Sequence, residues 1–244
     1  MRFHVITLFP TAFDSYIGES IVKRAIEDKK ISVAFYNPRD FSVDKSKRID
    51  RPPYAGGPGM VIQAEPVIAA IEAAIKNIQK NIQKIEKKSA KSGKSLKPVK
   101  MQKPLLVWLT PGGTQFDTAY AKKTAKKYAG RDMIIVCGRY EGIDARVKKV
   151  FTAAGPSSCT IAEISTGPFV LTGGELPAML IIDCIARQVE GVLGNFDSRE
   201  EERTASHDVY TRPEVIEHRG RKYRVPKVLL SGDHKKIEEW RKNN

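Results

Sequence analysis

One stretch, residues 163–179, constrains the fold of this chain more than any other. It begins as a β-like run, passes through the glycine pair Gly173 and Gly174, and continues into an apolar helix. Because glycine has no Cβ, a glycine pair between a strand and a helix lets the backbone approach a ligand closely. Thr172 is a candidate N-cap residue of that helix, with Glu175 at the third position of a capping box. The stretch therefore indicates either an ordinary strand-to-helix turn or a backbone-lined cup at a helix N-terminus.

Buried strands alternate with helical segments along the first 194 residues. Apolar runs predict strands at 3–9, 31–36, 105–109 and 133–137, and a fifth strand leads into the stretch at 163. This alternation is typical of an α/β domain with a mainly parallel sheet. Glycine-bearing loops follow the last three strands directly. Since ligands of open α/β sheets bind at the carboxyl ends of the strands, we expect the three loops to form one site.

The composition is typical of a globular protein without membrane spans. The 244 residues suffice for one sizeable domain with a small appendage. No apolar run approaches the ~18 residues of a membrane span, and the amino terminus lacks the pattern of a signal peptide. Cys137, Cys159 and Cys184 lie far apart in apolar sequence, which favours buried thiols in a reducing cytoplasm. The four histidines have no ligand spacing, so no metal site is expected.

The positive charge is concentrated in one segment. Residues 76–103 contain ten lysines and one glutamate, so they account for +9 of the net charge of +14. After Lys88 the composition is that of a flexible, solvated loop. The segment is either an insertion without function or a basic arm that contacts phosphates.

Two other segments each allow two interpretations. The glycine-rich residues 54–60 form either a mobile loop or a surface that closes over a ligand. Beyond a polar linker, five basic residues and no acidic residue lie between Arg219 and Lys227, with Tyr223 among them. One interpretation is contact with an RNA backbone, with base stacking on Tyr223. The other is a solvated face of a small helical domain.

Several common ligand motifs are absent from the sequence. No GxGxxG follows a strand, no GxxxxGK[ST] is present, and no GxSxG occurs. A cup of backbone amides and carbonyls with Tyr140, Glu141, Phe169 and Leu171 remains. Such a cup suits a purine-bearing, partly cationic ligand better than a triphosphate.

Eight segments in order carry a resemblance to a known family. They are ITLFP at 6–10, NPRDF at 37–41, RPPYAGGPGM at 51–60, CGRYEGID at 137–144, LTGGELPAM at 171–179, GVLGN at 191–195, YTRPE at 210–214 and VLLSGDH at 228–234. Together they resemble the bacterial tRNA (guanine-N1)-methyltransferases of the trefoil-knot (SPOUT) class, and the resemblance covers nearly the whole chain.

The resemblance implies a fold, a reaction and partners. It implies a trefoil-knotted SPOUT-type α/β domain at 1–194 with a mainly parallel sheet, a mobile linker at 195–208, and a small helical tRNA-binding domain at 209–244. A homodimer with the active site between its subunits would transfer the methyl group of S-adenosyl-L-methionine to N1 of guanosine 37 in tRNA. The product would be S-adenosyl-L-homocysteine. The protein would be cytoplasmic and would have no membrane partner. The resemblance leaves the participation of magnesium open.

The resemblance also assigns residue roles. The cofactor-binding residues would come from three loops: Leu109, Thr110, Pro111 and Gly112 from the first, Gly138, Tyr140 and Glu141 from the second, and Ser165, Thr166, Gly167, Phe169, Leu171, Gly173 and Gly174 from the third. Arg187 would lie near the guanine. RNA would be bound by Tyr210, Arg212, Arg219, Arg221 and Lys222.

The catalytic base is the main departure from the family pattern. Family members place an aspartate followed by Ser-Phe in the linker, and an ungapped count here reaches Glu202, followed by Arg203 and Thr204. Because the linker is short, Asp197 or Asp208 could serve instead. A second hypothesis is a tRNA-binding protein that keeps the cofactor cup but has impaired catalysis, and a third is a nucleotide-binding α/β protein without an RNA partner.

Overall fold

The structure, a computed structural model, contains two compact units. It describes residues 1–54, 56–91, 103–153, 159–193 and 208–243. The first unit comprises Met1–Val192 and the second Leu193–Asn244.

The first unit is built on a five-stranded parallel sheet. The unit contains seven described strands: β1 (Arg2–Ile6), β2 (Ser32–Tyr36), β3 (Asp50–Arg51), β4 (Val61–Ile62), β5 (Leu105–Gln115), β6 (Asp132–Val136) and β7 (Thr160–Ser165). The sheet order is β2-β1-β6-β5-β7 with every neighbouring pair parallel, while β3 and β4 form a separate antiparallel pair. The predicted α/β fold with a mainly parallel sheet is confirmed.

Helices cover both faces of the sheet. They are α1 (Asp14–Ile17), α2 (Ser20–Glu27), α3 (Ala64–Lys91), α4 (Thr118–Lys127), α5 (Arg146–Thr152) and α6 (Glu175–Ala186), with short 3-10 helices at Pro10–Phe13 and Pro38–Phe41. Alternate strand residues join different cores: Met133 and Ile135 of β6 pack with α4 and α6, whereas Ile134 packs with α3 and α5. Every residue of β6 is buried, as expected for a central strand covered on both faces.

The longest helix begins near the carboxyl edge of the sheet. Ile62, two residues before α3, pairs with Ile143, which follows β6. Ile71, Ile75 and Ile78 bury one face of α3, as the spacing predicts. No helix in the described ranges is long and apolar enough to cross a membrane.

The second unit differs from the small helical domain that was expected. It begins with an antiparallel hairpin of β8 (Val215–His218) and β9 (Arg221–Arg224), and continues with α7 (Lys227–Leu230) and α8 (His234–Asn243). Arg219 and Gly220 form the turn, both with positive φ, at 52° and 74°. Two consecutive positive φ values match the turn type that best fits the twist of a two-residue hairpin. Arg221 and Lys222 therefore lie on an exposed strand rather than on a helix.

Candidate active site

A cavity of about 440 Å³ lies at the carboxyl ends of β6 and β7 and beside the interruption of β5 after Leu109. Thirteen of the fourteen predicted cofactor residues line it: Leu109, Thr110, Pro111, Gly138, Tyr140, Glu141, Ser165, Thr166, Gly167, Phe169, Leu171, Gly173 and Gly174. Gly112 is not among the lining residues, although its neighbours Thr110 and Pro111 are. The structure thus brings the three loops together, as their shared position after parallel strands predicts.

The first loop is an interruption within β5. Leu109 and Thr114 both lie opposite Ile164 of β7, so residues 110–113 leave the ladder and return to it. A Cβ on Gly113 would approach the backbone nitrogen of Ile164 to 2.6 Å. Only glycine lets the loop rejoin the neighbouring strand so closely.

The second and third loops are joined backbone to backbone. The N–H of Gly174 donates to the carbonyl of Gly138 at 2.9 Å, and the backbones of Arg139 and Gly173 form an isolated antiparallel β-bridge. A Cβ on Gly174 would come within 2.6 Å of the Cα of Cys137. The glycine pair that the sequence singled out therefore permits contact between two protein loops at the rim of the cavity.

Tyr140 is held in an unusual backbone conformation at the cavity. Its φ of 58° is in the left-handed region, which a bulky aromatic residue rarely occupies, and its side chain is 53% exposed. Such conformations persist where the surroundings impose them and are concentrated at functional sites. The N–H of Glu141 donates to the carbonyl of Met60, and a Cβ on Gly59 would collide with the Glu141 side chain. The glycine-rich segment thus lies directly against the second loop.

A buried carboxylate network supports the cavity, and sequence reasoning missed it. The Thr7 hydroxyl donates to Oε1 of Glu175 at 2.8 Å, and Nε of Arg139 donates to Oε2 at 3.0 Å. Arg139 also donates to the carbonyl of Thr172 at 3.3 Å and lies over the ring of Phe9. The network ties the end of β1 to the second loop and to the start of α6.

The predicted capping box is wrong. Gly174, not Thr172, is the N-cap residue of α6, and no side-chain hydrogen bond caps this helix. Glu175 is instead the first residue of the helix, and its buried side chain is turned to Thr7 and Arg139. The charged Arg139 inside the CGRYEGID motif was the one available sequence signal for this pairing.

One lysine at the cavity is paired with a carboxylate. Lys148, which lines the cavity, forms a 2.8 Å ion pair with Glu163 and lies over the ring of Trp108. Burial, followed by the nearby Glu175 charge, raises the pKa of the Cys137 thiol well above its ordinary value. Cys137 is therefore an inert packing residue rather than a nucleophile.

The cavity has the size and lining of a small-molecule site. Its volume is within the range of about 300–1,000 Å³ that is usual for ligand pockets. A Cβ on Gly138 would approach no protein atom closer than 3.9 Å, so there is free space beside this backbone. The apolar side chains of Phe169 and Leu171 are 51% and 39% exposed, which leaves apolar surface available to a ligand. No group of His, Cys, Asp or Glu in the described ranges could hold a metal ion.

Arg187, one of the predicted catalytic residues, does not line this cavity. Arg187 is the C-cap residue of α6, about 18 Å along the helix axis from Glu175 at the cavity. Glu202 and Asp197 lie outside the described residues, and Asp208 is exposed in the second unit.

The predicted RNA-binding residues all lie in the second unit. Tyr210 and Arg212 line a cavity of about 780 Å³ there, and the ring of Tyr210 meets that of Trp240 edge-on. Arg219, Arg221 and Lys222 are exposed on the turn and on β9. They form a basic hairpin surface.

The fold and the cavity define an α/β ligand-binding protein whose site is made of three loops at the carboxyl edge of a parallel sheet. A family model described as tRNA (Guanine-1)-methyltransferase TrmD matches residues 1–244. The chain belongs to this methyltransferase family, and the resemblance seen in the motifs is confirmed.

Similar curated proteins cover almost the whole chain. A protein of Clostridioides difficile named tRNA (guanine-N(1)-)-methyltransferase is 40% identical over 99% of this chain and 91% of its own length. Relatives with the same name from Alkaliphilus oremlandii and Geobacter sulfurreducens are 39% and 40% identical, over 100% and 99% of this chain and 86% and 85% of their own lengths.

Proposed function

We propose that this protein transfers the methyl group of S-adenosyl-L-methionine to N1 of guanosine 37 in tRNA. One observation carries the proposal: thirteen residues that the family resemblance assigns to the donor line a single cavity in a chain that matches the family over its full length. The relatives' printed name supports the guanine N1 position and tRNA as the substrate.

The residues present fit the donor. When bound, S-adenosyl-L-methionine supplies an electrophilic methyl group on a positively charged sulfonium. The carboxylate of Glu141 lines the cavity and suits a cationic ligand, whereas a triphosphate would be repelled. The exposed backbone of Gly138 and the apolar side chains of Phe169 and Leu171 provide close contact for a flat nucleoside. Rigid positioning of this kind is the main contribution a protein makes to an in-line transfer.

Guanine needs two further groups from the protein. N1 of guanine carries a proton at neutral pH, so a general base must accept it, which commonly contributes ~10²–10⁴-fold to the rate. We assign this role to a linker carboxylate, Glu202, with Asp197 and Asp208 as alternatives. As the proton leaves N1, negative charge develops toward O6, where the guanidinium of Arg187 would stabilise it.

The distance of Arg187 from the cavity supports a homodimer with a shared site. Arg187 is at the far end of α6 from the cavity of its own chain, so a second copy would have to supply it. The exposed apolar side chains of Leu176 and Leu180 on α6, with Phe9 and Tyr16 nearby, provide a surface for that copy. Tyr16 hydrogen-bonds Asp183 of α6, and burial followed by the Asp183 charge raises the pKa of Tyr16.

Other parts of the proposal rest on family membership. The loops around the cavity would be trefoil-knotted, as the family resemblance implies. The expected linker at 195–208 lies outside the described residues except for Asp208, and the second unit would bind tRNA. Three free cysteines agree with a reducing cytoplasm.

The direct test is a reaction of purified protein with S-adenosyl-L-methionine and an unmodified tRNA transcript, followed by nuclease mapping and mass spectrometry. We expect one added methyl group at N1 of guanosine 37. Binding of both ligands without methylation would overturn the proposal and favour the tRNA-binding protein with impaired catalysis. Failure to bind tRNA would favour the nucleotide-binding protein without an RNA partner.

Variants test the assigned roles. Glu202→Gln is expected to lower turnover by at least ~10²-fold, as removal of a general base does, while Asp197→Asn retains it. Arg187→Ala is expected to lower turnover with little change in the affinity for the donor. The opposite result for the two carboxylates would move the base to Asp197, and an equal loss of donor affinity in Arg187→Ala would show that Arg187 is misassigned.

A further inference from the structure

The long helix α3 carries a row of lysines on the side that faces away from the core. Four exposed lysines, here called the lysine ridge, repeat at intervals of four, four and three residues: Lys76, Lys80, Lys84 and Lys87. At 3.6 residues per turn they lie within about 80° of arc. The buried side chains of Ile71, Ile75 and Ile78 point to the opposite side of the helix.

Ion pairs within the described ranges do not neutralise the charge of the ridge. In the described part of the chain, no ion pair involves any of the four lysines. Like charges four residues apart, such as Lys76 with Lys80 and Lys80 with Lys84, repel each other and destabilise a helix. The favourable effect of lysine on the helix dipole is confined to the last turn, and the helix ends only at Lys91. The like-charge repulsion along the ridge therefore decreases when a bound anion neutralises the lysines.

The ridge is remote from the cavity. α3 starts at Ala64, next to the strand whose Ile62 pairs with Ile143 at the cavity. At 1.5 Å per residue, Lys76 is about 18 Å and Lys87 about 35 Å farther along the helix. A ligand on the ridge would thus contact the protein well away from the reacting atoms.

The surroundings of the ridge favour a polyanion over a protein partner. Protein interfaces usually have an apolar or aromatic centre with a polar rim. None of the exposed large hydrophobic side chains among the described residues lies on α3. Lysines about 6 Å apart along a straight helix instead provide the repeated point charges that bind successive phosphates.

We propose that the lysine ridge binds the phosphate backbone of the tRNA substrate at a distance from the methylated base. This inference rests on the proposed function, because it takes its partner from that reaction. The contact adds affinity without reading sequence, since phosphates are the same at every nucleotide. It shifts part of tRNA recognition from the second unit to the first.

The test measures tRNA binding as a function of salt. The Lys76→Gln, Lys80→Gln, Lys84→Gln triple variant keeps the helix-forming tendency of the segment but removes three charges. The matched control is Lys123→Gln, Lys126→Gln, Lys127→Gln, three exposed lysines of α4 on the other face of the sheet. A third variant replaces the same three lysines, Lys76, Lys80 and Lys84, by arginine, which preserves the charge. Binding of an unmodified tRNA transcript is followed from 50 to 200 mM salt, together with kcat and the KM for the donor.

The ridge variant is expected to lower the slope of log K against log salt by about 2 to 3 in magnitude, with kcat and the KM for the donor unchanged. The control and arginine variants are expected to keep the slope of the original protein. Removal of like-charge neighbours should leave the unfolding temperature unchanged or raise it, which verifies folding.

Three results would overturn the inference. One is an unchanged slope in the ridge variant, and another is an equal decrease in the α4 control, which would show only the effect of total charge. The third is a lowered slope in the arginine variant as well, because arginine preserves the charge. Methylation of tRNA by the original protein tests the proposed function separately, so an active enzyme with an unaltered slope in the ridge variant refutes the ridge alone.

Discussion

Gly174 is the residue at which two loops of the cavity meet most closely. Its N–H bonds the carbonyl of Gly138, and an added Cβ would approach the Cα of Cys137 to 2.6 Å. Because that neighbour is backbone, it cannot rotate away as the end of a side chain could. The closeness of the second and third loops thus depends on the absence of one methyl group.

Gly174→Ala is expected to separate these loops. Overpacking should lower the unfolding free energy by about 1–3 kcal/mol, and the affinity for S-adenosyl-L-homocysteine should fall by roughly tenfold or more. Gly112→Ala is the matched control, because a Cβ there meets no atom within 4 Å and Gly112 does not line the cavity. Thermal unfolding and calorimetry check both. Equal losses in the two variants would refute the close-contact explanation and restore Gly112 to the binding residues.

A second residue-scale feature, away from the cavity, is the carboxylate of Asp132. It accepts hydrogen bonds from Nε of Arg2 at 2.6 Å and lies 2.9 Å from Nε2 of His4. Burial by itself raises the pKa of Asp132, but the hydrogen bonds from Arg2 and His4 outweigh it and place the pKa below the ordinary 3.8. The ionised carboxylate is therefore favoured in the folded state.

This shift has a definite sign for stability. The contribution of Asp132 is fully present above pH 4 and is lost as the pH falls through the lowered pKa of the folded state. Asp132→Asn is expected to lower the unfolding free energy at pH 7 by about 2–4 kcal/mol and to flatten its decline below pH 4. Urea unfolding across pH 2–7 measures both effects. An undiminished acid dependence in the variant would show that other carboxylates are responsible.

At the scale of elements, α6 connects the cavity to the surface proposed for the second subunit. The helix begins at Glu175 beneath the cavity and ends one residue before Arg187. Leu176 and Leu180, one turn apart on this helix, are 61% and 42% exposed and together form an apolar surface.

Leu180→Asp is expected to convert a dimer into a monomer and to abolish methyl transfer, because a charge would be desolvated at the interface. Val150→Asp on α5, 44% exposed on the other face of the sheet, is the control and should remain dimeric and active. Light scattering and activity measure the outcome. A dimeric, active Leu180→Asp would remove α6 from the interface.

Mixing two impaired variants tests the shared site. Gly174→Ala damages the cavity and Arg187→Ala the proposed guanine contact, so a mixed dimer has one damaged and one intact site if each site uses both subunits. Random exchange should restore about a quarter of the original activity. No recovery after subunit exchange would place Arg187 and the cavity in the same subunit's site.

Local patterns were enough to predict the elements and the loops that follow them. The apolar runs at β5 and β6, the β-like run at β7 and the glycines after them occur within short windows, and the parallel sheet brings those loops to one edge. The pairing of Thr7 with Glu175 was missed because these residues are 168 positions apart, and nothing in either local pattern indicates a partner. The hairpin of the second unit was missed because Arg219 occupies a positive φ that glycine or asparagine usually fills.

At the scale of the whole molecule, the first unit would hold the donor and the basic second unit would contact RNA. Three loops, distant in sequence, would then act as one donor site. Their common cavity predicts a common response to ligand, even though each loop follows a different strand.

Hydrogen exchange with and without S-adenosyl-L-homocysteine measures that response most directly. Peptides covering residues 109–113, 138–144 and 165–174 should all become protected at the same ligand concentration, while peptides from α8 do not change. Protection of only one of the three loops, or protection chiefly outside them, would contradict the claim of a single three-loop donor site.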